Sequence, residues 1–221
     1  MGATRYGNSA ATTSLPEKLP LTAAILNGGA SRRFGGVDKQ AILLNGTPLV
    51  GILVERLQNL ASEIIVAGKP HPLLESFGIR TYQERGTSIG PLGGLSIALR
   101  EAVNPWVLLL AVDMPFVSRI LTETLWNARH EGEILAFRVQ GMVQPFHALY
   151  HRDIVQDLDI CLESGCSRSL WRFMQTRRLK ILNIEDAMHE EAAGAFVNFN
   201  DWAALSRYAA APNMDGSAML V

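Results

Sequence analysis

Residues Leu26 to Lys39 read LNGGASRRFGGVDK, and this stretch decides the fold because it joins an apolar segment to a glycine-rich, positively charged turn. The lead-in Leu21-Thr22-Ala23-Ala24-Ile25-Leu26 is short, apolar and β-compatible, as a buried strand requires. Gly28, Gly29, Gly35 and Gly36 let the backbone approach a ligand at φ values closed to other residues, and Arg32, Arg33 and Lys39 supply counter-charge. Backbone N–H groups turned toward one point, beside guanidinium and ammonium donors, are what a triphosphate needs. The turn is not a Walker A loop, because Asp38-Lys39 is followed by Gln40, and it lacks the dinucleotide pattern G-x-G-x-x-G.

Outward from this turn the chain alternates strand with helix. Ile42-Leu43-Leu44 with Asn45-Gly46 predicts a short hairpin element, and Pro48 opens a helix through about Leu60 with apolar residues at Leu49, Ile52, Leu53, Leu57 and Leu60. Strands are expected at Ile64 to Ala67, near Ile79 to Tyr82, and along the apolar run Trp106 to Val112, with a helix from Pro91 to Val103. Runs apolar on both faces, separated by helices, mark a parallel sheet covered on both sides. The predicted fold class is therefore α/β, a three-layer sandwich around a mostly parallel, Rossmann-like nucleotide-binding sheet. The later part is more mixed. Strands are expected at Glu133 to Val139 and Phe146 to Tyr150 with a Gln140-Gly141 turn, helices near Asp153 to Glu163 and Arg168 to Thr176, and a last strand-helix pair around Phe196 to Tyr208.

Composition narrows the function. A chain of 221 residues, 48% hydrophobic and 19% charged, can bury one substantial core. A formal net charge of −1 and a pI near 6.5 give no general attraction to nucleic acid or anionic membrane. No apolar run approaches the ~20 residues that span a bilayer, and the N-terminus lacks a secretory h-region, so a cytoplasmic address is expected. Residues 1–20 read as a mobile leader and 211–221 as a flexible tail. Cys161 and Cys166, in CLESGC, match no zinc spacing and are too few for a disulfide framework; they are expected to be ordinary thiols.

In open α/β sheets ligands bind at the carboxyl ends of strands. The first strand ends at Asn27-Gly28, and the apolar run ends at Asp113 in LLLAVDMPF. The next helix is expected to start at Ser118, the better cap, which leaves Asp113 for another task. A carboxylate beside a triphosphate most simply holds Mg²⁺, whose shell is completed by phosphates and water.

The opening motif resembles L-A-G-G-x-S-x-R-M-G-x-D-K, the signature of the molybdenum cofactor guanylyltransferase family of the nucleoside-triphosphate transferases. Leu26, Gly28, Gly29, Ser31, Arg33, Gly35, Asp38 and Lys39 align, with one extra residue in Gly36-Val37; Asn27 stands for the usual Ala and Phe34 for Met. Glu84 to Gly94, ERGTSIGPLGG, resembles the family's D-x-x-x-x-x-G-P-L-A-G, with Glu84 as the acid and Gly93 for Ala. Gln144-Pro145 before His147-Ala148-Leu149-Tyr150 resembles its proline-containing strand, and Phe196-Val197-Asn198-Phe199-Asn200 resembles its F-x-N-x-N-T-P, with Asp201-Trp202 replacing Thr-Pro.

The resemblance covers about Thr22 to Leu205. It implies a single domain over residues 21–210, with a nucleotide-binding half at 21–117 and an acceptor-binding half at 118–210. It implies transfer of GMP from GTP to the phosphate of molybdopterin with release of pyrophosphate, and Mg²⁺ as cofactor. GTP and molybdopterin are the implied partners, with molybdoenzyme-maturation proteins beside them and neither nucleic acid nor membrane. Arg33, Lys39 and Asp113 would be catalytic, Asp113 also holding the metal. Leu26, Asn27, Gly28, Gly29, Arg33, Lys39, Glu84, Gly90, Pro91, Leu92 and Gly93 would bind nucleotide; Gln144, Pro145, Asn198 and Asn200 would bind the acceptor. Fold does not fix substrate. A cytidylyltransferase or a sugar- or alcohol-phosphate nucleotidyltransferase of the same fold is the nearer alternative, and a nucleotide-sensing module without catalysis the more distant one.

Overall fold

The strand that leads into the glycine-rich turn is β1, Leu19–Asn27, in the interior of an eight-stranded sheet. The structure, a computed structural model, describes residues 17–27, 42–83, 90–165, 169–184, 194–199 and 202–210. β1 starts before the expected Leu21. Leu19 is fully buried and pairs with Ala61, so Leu19 and Pro20 belong to the sheet and not to a leader. Residues 1–16 and the tail at 211–221 lie outside the described residues.

The hairpin of β2 (Leu43–Leu44) and β3 (Thr47–Pro48) is closed by Asn45 and Gly46 at φ 49° and 82°, the paired left-handed residues that a tight hairpin turn favours. Helix α1 (Leu49–Gln58) follows, then β4 (Ala61–Gly68), α2 (Pro72–Ser76), β5 (Arg80–Tyr82), α3 (Pro91–Glu101) and β6 (Trp106–Ala111). The second part holds α4 (Arg119–Asn127), β7 (Ile134–Val139), β8 (Met142–Val143), β9 (Ala148–His151), α5 (Val155–Glu163), α6 (Leu170–Met174), β10 (Leu179–Asn183) and α7 (Trp202–Ala210).

The strand order is β10-β7-β9-β6-β1-β4-β5, with β8 paired to β7. β1, β4, β5 and β6 pair in parallel, as do β7 and β10, whereas β9 runs antiparallel between β6 and β7. Alternation along β1 builds the layers. Leu21, Ala23 and Ile25 pack with Leu53 and Leu57 of α1 and Leu121 and Leu125 of α4, while Ala24 and Leu26 pack with Leu95 and Leu99 of α3 and Leu158 of α5. This is the expected three-layer, mostly parallel α/β sandwich.

Several details differ from the expectations. α2 and β10 are additional; α2 is one short turn and β10 a half-buried edge strand, so neither carries strong periodicity. Residues 196–199 form no strand, because among the described residues their backbone link to the sheet is one bond, from the Phe199 N–H to the Asp113 carbonyl beyond the end of β6 (2.9 Å). Cys161 is disulfide-bonded, which corrects the free-thiol expectation for it. α5 ends at Glu163, and Gly165 at φ 67° turns the chain back directly after Cys161's last helical turn; Cys166 lies outside the described residues. Among the described residues no helix is long and apolar enough to cross a membrane.

Candidate active site at the carboxyl edge of the sheet

The connections determine where the crevice falls. β1 leads through α1 to β4 on one side, and β5 returns through α3 to β6 on the other, with α1 and α3 on opposite faces. The carboxyl ends of β1 and β6 therefore flank a topological switch point, the usual ligand crevice of such sheets. Leu26 pairs with Ala111, and the Val112 N–H donates to the Leu26 carbonyl at 3.2 Å, which places Asn27, the last residue of β1, near Asp113, two residues beyond the end of β6.

On the nucleotide side, Asn27 is 7% exposed, and its Nδ2 donates to the Lys69 carbonyl at 3.1 Å. That bond turns the amide's Oδ1 away from Lys69 as an acceptor. The Lys69 N–H returns a bond to the Asn27 carbonyl (3.4 Å). Gly68 makes this closure possible, since a Cβ there would stand 2.1 Å from the Asn27 carbonyl oxygen. Neither Gly68 nor Lys69 stands out in the sequence; a glycine after an apolar run resembles any turn.

α3 approaches the same strand end. A Cβ on Gly94 would lie 2.9 Å from Leu26 Cδ2, so this glycine brings the start of the helix close to β1. Gly90 precedes the helix at φ 85°, with Pro91 in its first turn, where backbone N–H groups have no partner within the helix. Leu92 is fully buried and Leu26 nearly so, so both side chains serve the core and Leu92 and Gly93 offer only backbone to a ligand. Gly28, Gly29, Arg33, Lys39 and Glu84 lie outside the described residues.

Asp113 is half-buried in the turn after β6. The helix cap is Ser118, as expected, its Oγ accepting from the Leu121 N–H at 3.3 Å. Among the described residues no three His, Cys, Asp or Glu side chains form a metal cluster. A single carboxylate such as Asp113 is not an all-protein cage, but it fits Mg²⁺, which takes one or two carboxylates and completes its shell with phosphate and water.

The segment expected to receive the acceptor reaches this edge by a reversal of direction. β9 is antiparallel to β6, with Ala148 opposite Leu109, so the residues before it extend toward Asp113. The Gln144 N–H donates to the Phe137 carbonyl at 2.9 Å, and the Pro145 carbonyl accepts from the Tyr150 hydroxyl at 2.7 Å. Burial pushes the Tyr150 phenol well above its ordinary value, which keeps that hydroxyl a donor.

His147, 1% exposed, sits in the left-handed region at φ 54°, and its N–H donates to the Leu109 carbonyl at 2.8 Å. Its Nε2 lies 3.1 Å from Thr122 Oγ1. With the Thr122 hydroxyl donating to the Ser118 carbonyl at 2.9 Å, the imidazole donates through Nε2–H, and Nδ1 is buried with no hydrogen-bond partner among the described residues. Burial pushes His147 down to about 4, against the opposing pull of the Ser118 backbone.

Asn198 is exposed beside the Phe199 N–H that bonds the Asp113 carbonyl. Phe199 is fully buried among Phe116 and Tyr208, with ring centroids at 5.9 and 5.4 Å, and the Arg56 guanidinium stands 5.3 Å from the Phe116 ring centre. Asn200 lies outside the described residues. The structure thus gathers Asn27, Gly90, Pro91, Asp113, Gln144, Pro145 and Asn198 along one sheet edge. His147, Tyr150 and Phe199, which hold these segments, carry no site role in the sequence reading; Thr122 and Asp113, the partners of His147 and Phe199, are distant in the chain, and the Tyr150 bond to Pro145 forms only across a bend.

The MobA-like NTP transferase domain matches residues 23–180. A molybdenum cofactor guanylyltransferase of Syntrophotalea carbinolica is 31% identical over 172 residues, covering 76% of this chain and 80% of that protein. One from Histophilus somni is 29% identical over 199 residues, covering 85% and 95%. Among solved structures, molybdopterin-guanine dinucleotide biosynthesis protein A of Archaeoglobus fulgidus superposes with a TM-score of 0.71 at 20% identity, over 84% of this chain and 95% of its own. The 2-C-methyl-D-erythritol 4-phosphate cytidylyltransferase of Thermus thermophilus has the same fold, with a TM-score of 0.62 at 16% identity over 85% and 96%. With the domain matched from β1 into β10, this chain belongs to the family of MobA-like NTP transferase domains.

Proposed function

We propose that this protein is a Mg²⁺-dependent guanylyltransferase that joins the GMP of GTP to the phosphate of molybdopterin and releases pyrophosphate. The observation that carries this reading is the guanylyltransferase-like run Leu26 to Lys39, set on a strand whose end adjoins Asp113. The similarity to the named guanylyltransferases supports it across most of the chain.

A phosphate oxygen of the acceptor attacks the α-phosphorus in line. As the new P–O bond forms, the bond to the bridging oxygen of the β-phosphate breaks and pyrophosphate leaves. Negative charge grows on the α-phosphate and leaving-group oxygens, and stabilising it is the protein's task. Arg33 and Lys39 neutralise the triphosphate, while Gly28, Gly29 and the first turn of α3 offer backbone N–H groups. Asp113 would hold Mg²⁺, which when bound draws charge from the phosphates. The Asn27 Oδ1 and Glu84 are the acceptors for the guanine N1–H and exocyclic amine, and Gln144, Pro145, Asn198 and Asn200 receive the acceptor. This reading divides the domain into a nucleotide half at 21–117 and an acceptor half at 118–210, in a cytoplasmic protein that hands its product to molybdoenzyme-maturation partners.

Purified protein incubated with Mg²⁺, molybdopterin and labelled GTP, CTP or ATP tests the reading. GTP should be used far better than the other two, because buried acceptors left unpaired by the wrong base discriminate strongly. Equal use of GTP and CTP overturns the guanylyl assignment; transfer from none of them leaves a nucleotide-sensing module.

A further inference from the structure

His147 belongs to none of the residue sets above, yet it joins the elements that form the acceptor side. Its backbone N–H holds β6 through the Leu109 carbonyl, its Nε2–H bonds Thr122 in α4, and its ring lies 5.7 Å from the Phe196 ring at 35°. Phe196 leads within three residues to the Phe199 N–H on the Asp113 carbonyl. Three residues before His147 stands Gln144, whose N–H is fixed on Phe137.

Two features distinguish this from ordinary core filling. A histidine at φ 54° is uncommon, and such residues persist where their surroundings over-determine them, often at functional sites. A polar side chain that is 1% exposed with one ring nitrogen unpartnered is also costly where an apolar ring would fill the space. The Nε2–H bond to Thr122 is what an apolar ring cannot supply, and it sets the ring plane against which Phe196 rests.

We propose that His147 is a positioning residue for the acceptor: its imidazole, anchored on Thr122 and packed on Phe196, sets the Gln144-Pro145 segment and the Phe196–Phe199 segment in register on either side of Asp113. This rests on the acceptor-transfer reading above for its kinetic consequence, but its structural consequence is independent of the acceptor's identity.

The test compares His147→Leu, His147→Gln and Thr122→Val with the wild-type protein. In His147→Leu the KM for molybdopterin should rise roughly tenfold, the factor an ordinary lost buried hydrogen bond supplies, while the GTP dissociation constant stays within about twofold. His147→Gln, which restores an N–H donor of similar reach, should recover most of that loss, and Thr122→Val should reproduce it. Amide hydrogen exchange supplies a readout without substrate. The Phe199 N–H should exchange about ten times faster in His147→Leu and Thr122→Val than in the wild type, with the β1 amides unchanged. Should His147→Leu not fold, the Gln and Val variants decide the question alone. Unchanged Phe199 exchange, or parallel losses in GTP and acceptor binding, overturns the proposal. No transfer by the wild type overturns the guanylyltransferase reading, and the exchange measurement still judges His147.

Discussion

The two sides of the crevice are held by different kinds of bond. On the nucleotide side, Asn27 and Asp113 are placed by parallel backbone register, by the Val112 N–H on the Leu26 carbonyl, and by glycines at 68 and 94 that let backbone and helix come close. On the other side, the Gln144-Pro145 and Asn198 segments are coils, fixed among the described residues by a few backbone bonds and by the side chains of Tyr150, His147 and Phe199. Continuous ladders hold a strand end whatever most side chains are, whereas a coil goes where its few anchors send it. The ends of β1 and β6 are accordingly held generically, and the Gln144-Pro145 and Asn198 segments, which we propose receive the acceptor, are the part that side-chain changes can retune.

The contrast fails or sharpens first at Phe199. Phe199→Ala should cost about 3–5 kcal/mol in urea unfolding, the range for a buried Phe truncated to Ala. In the protein that remains folded, acceptor KM should rise and GTP affinity should hold; an equal fall in GTP affinity would show that the two sides are not separately built. Asp113→Asn probes the point they share. It should lower turnover about 100-fold, the scale of a lost electrostatic stabiliser, with the melting temperature nearly unchanged. Normal turnover would remove Asp113 from the site.

A smaller effect is expected at Tyr150. Tyr150→Phe deletes the hydroxyl that bonds the Pro145 carbonyl at 2.7 Å and also stands 3.5 Å from Met174 Sδ, a loss of about 1 kcal/mol. Steady-state kinetics should register it as a few-fold higher acceptor KM, with GTP parameters untouched.

A pH dependence of stability is expected as well. His147 takes up a proton near its ordinary 6.5 in the unfolded chain but only near about 4 when folded. The unfolded state therefore binds more protons between those values, and stability declines as pH falls through that window. His147→Gln should flatten this part of the stability profile, measured by denaturant unfolding at a series of pH values. Glu133, held low chiefly by the Arg178 backbone N–H and also by Arg177, loses its stabilising contribution only as pH falls below the ordinary carboxylate range.

How much of this was legible in the sequence follows from the range of each signal. Strands β1 and β6, helices α1 and α3, the Asn45-Gly46 hairpin and the Ser118 cap are written in residues within a few positions of one another, by apolar runs, glycine placement and capping chemistry. The phosphate-binding run Leu26 to Lys39 is equally local, and so is the strand-end aspartate at 113. Those features were enough to name the fold class and to suggest the sheet edge and the chemistry of the proposed site.

Tertiary structure alone decided how the pieces meet. It inserted β9 antiparallel beside β6 and so brought Gln144 and Pro145 to the edge that holds Asp113. It left residues 196–199 as a coil and hung Asn198 beside Asp113 through the Phe199 N–H. It also turned the Asn27 amide by means of Lys69, required glycine at 68 by the approach of the Asn27 carbonyl, and chose the His147 tautomer through Thr122. Each of these depends on a partner far along the chain, and neither hydrophobic period nor a short motif carries the position of a group that only folding brings into contact.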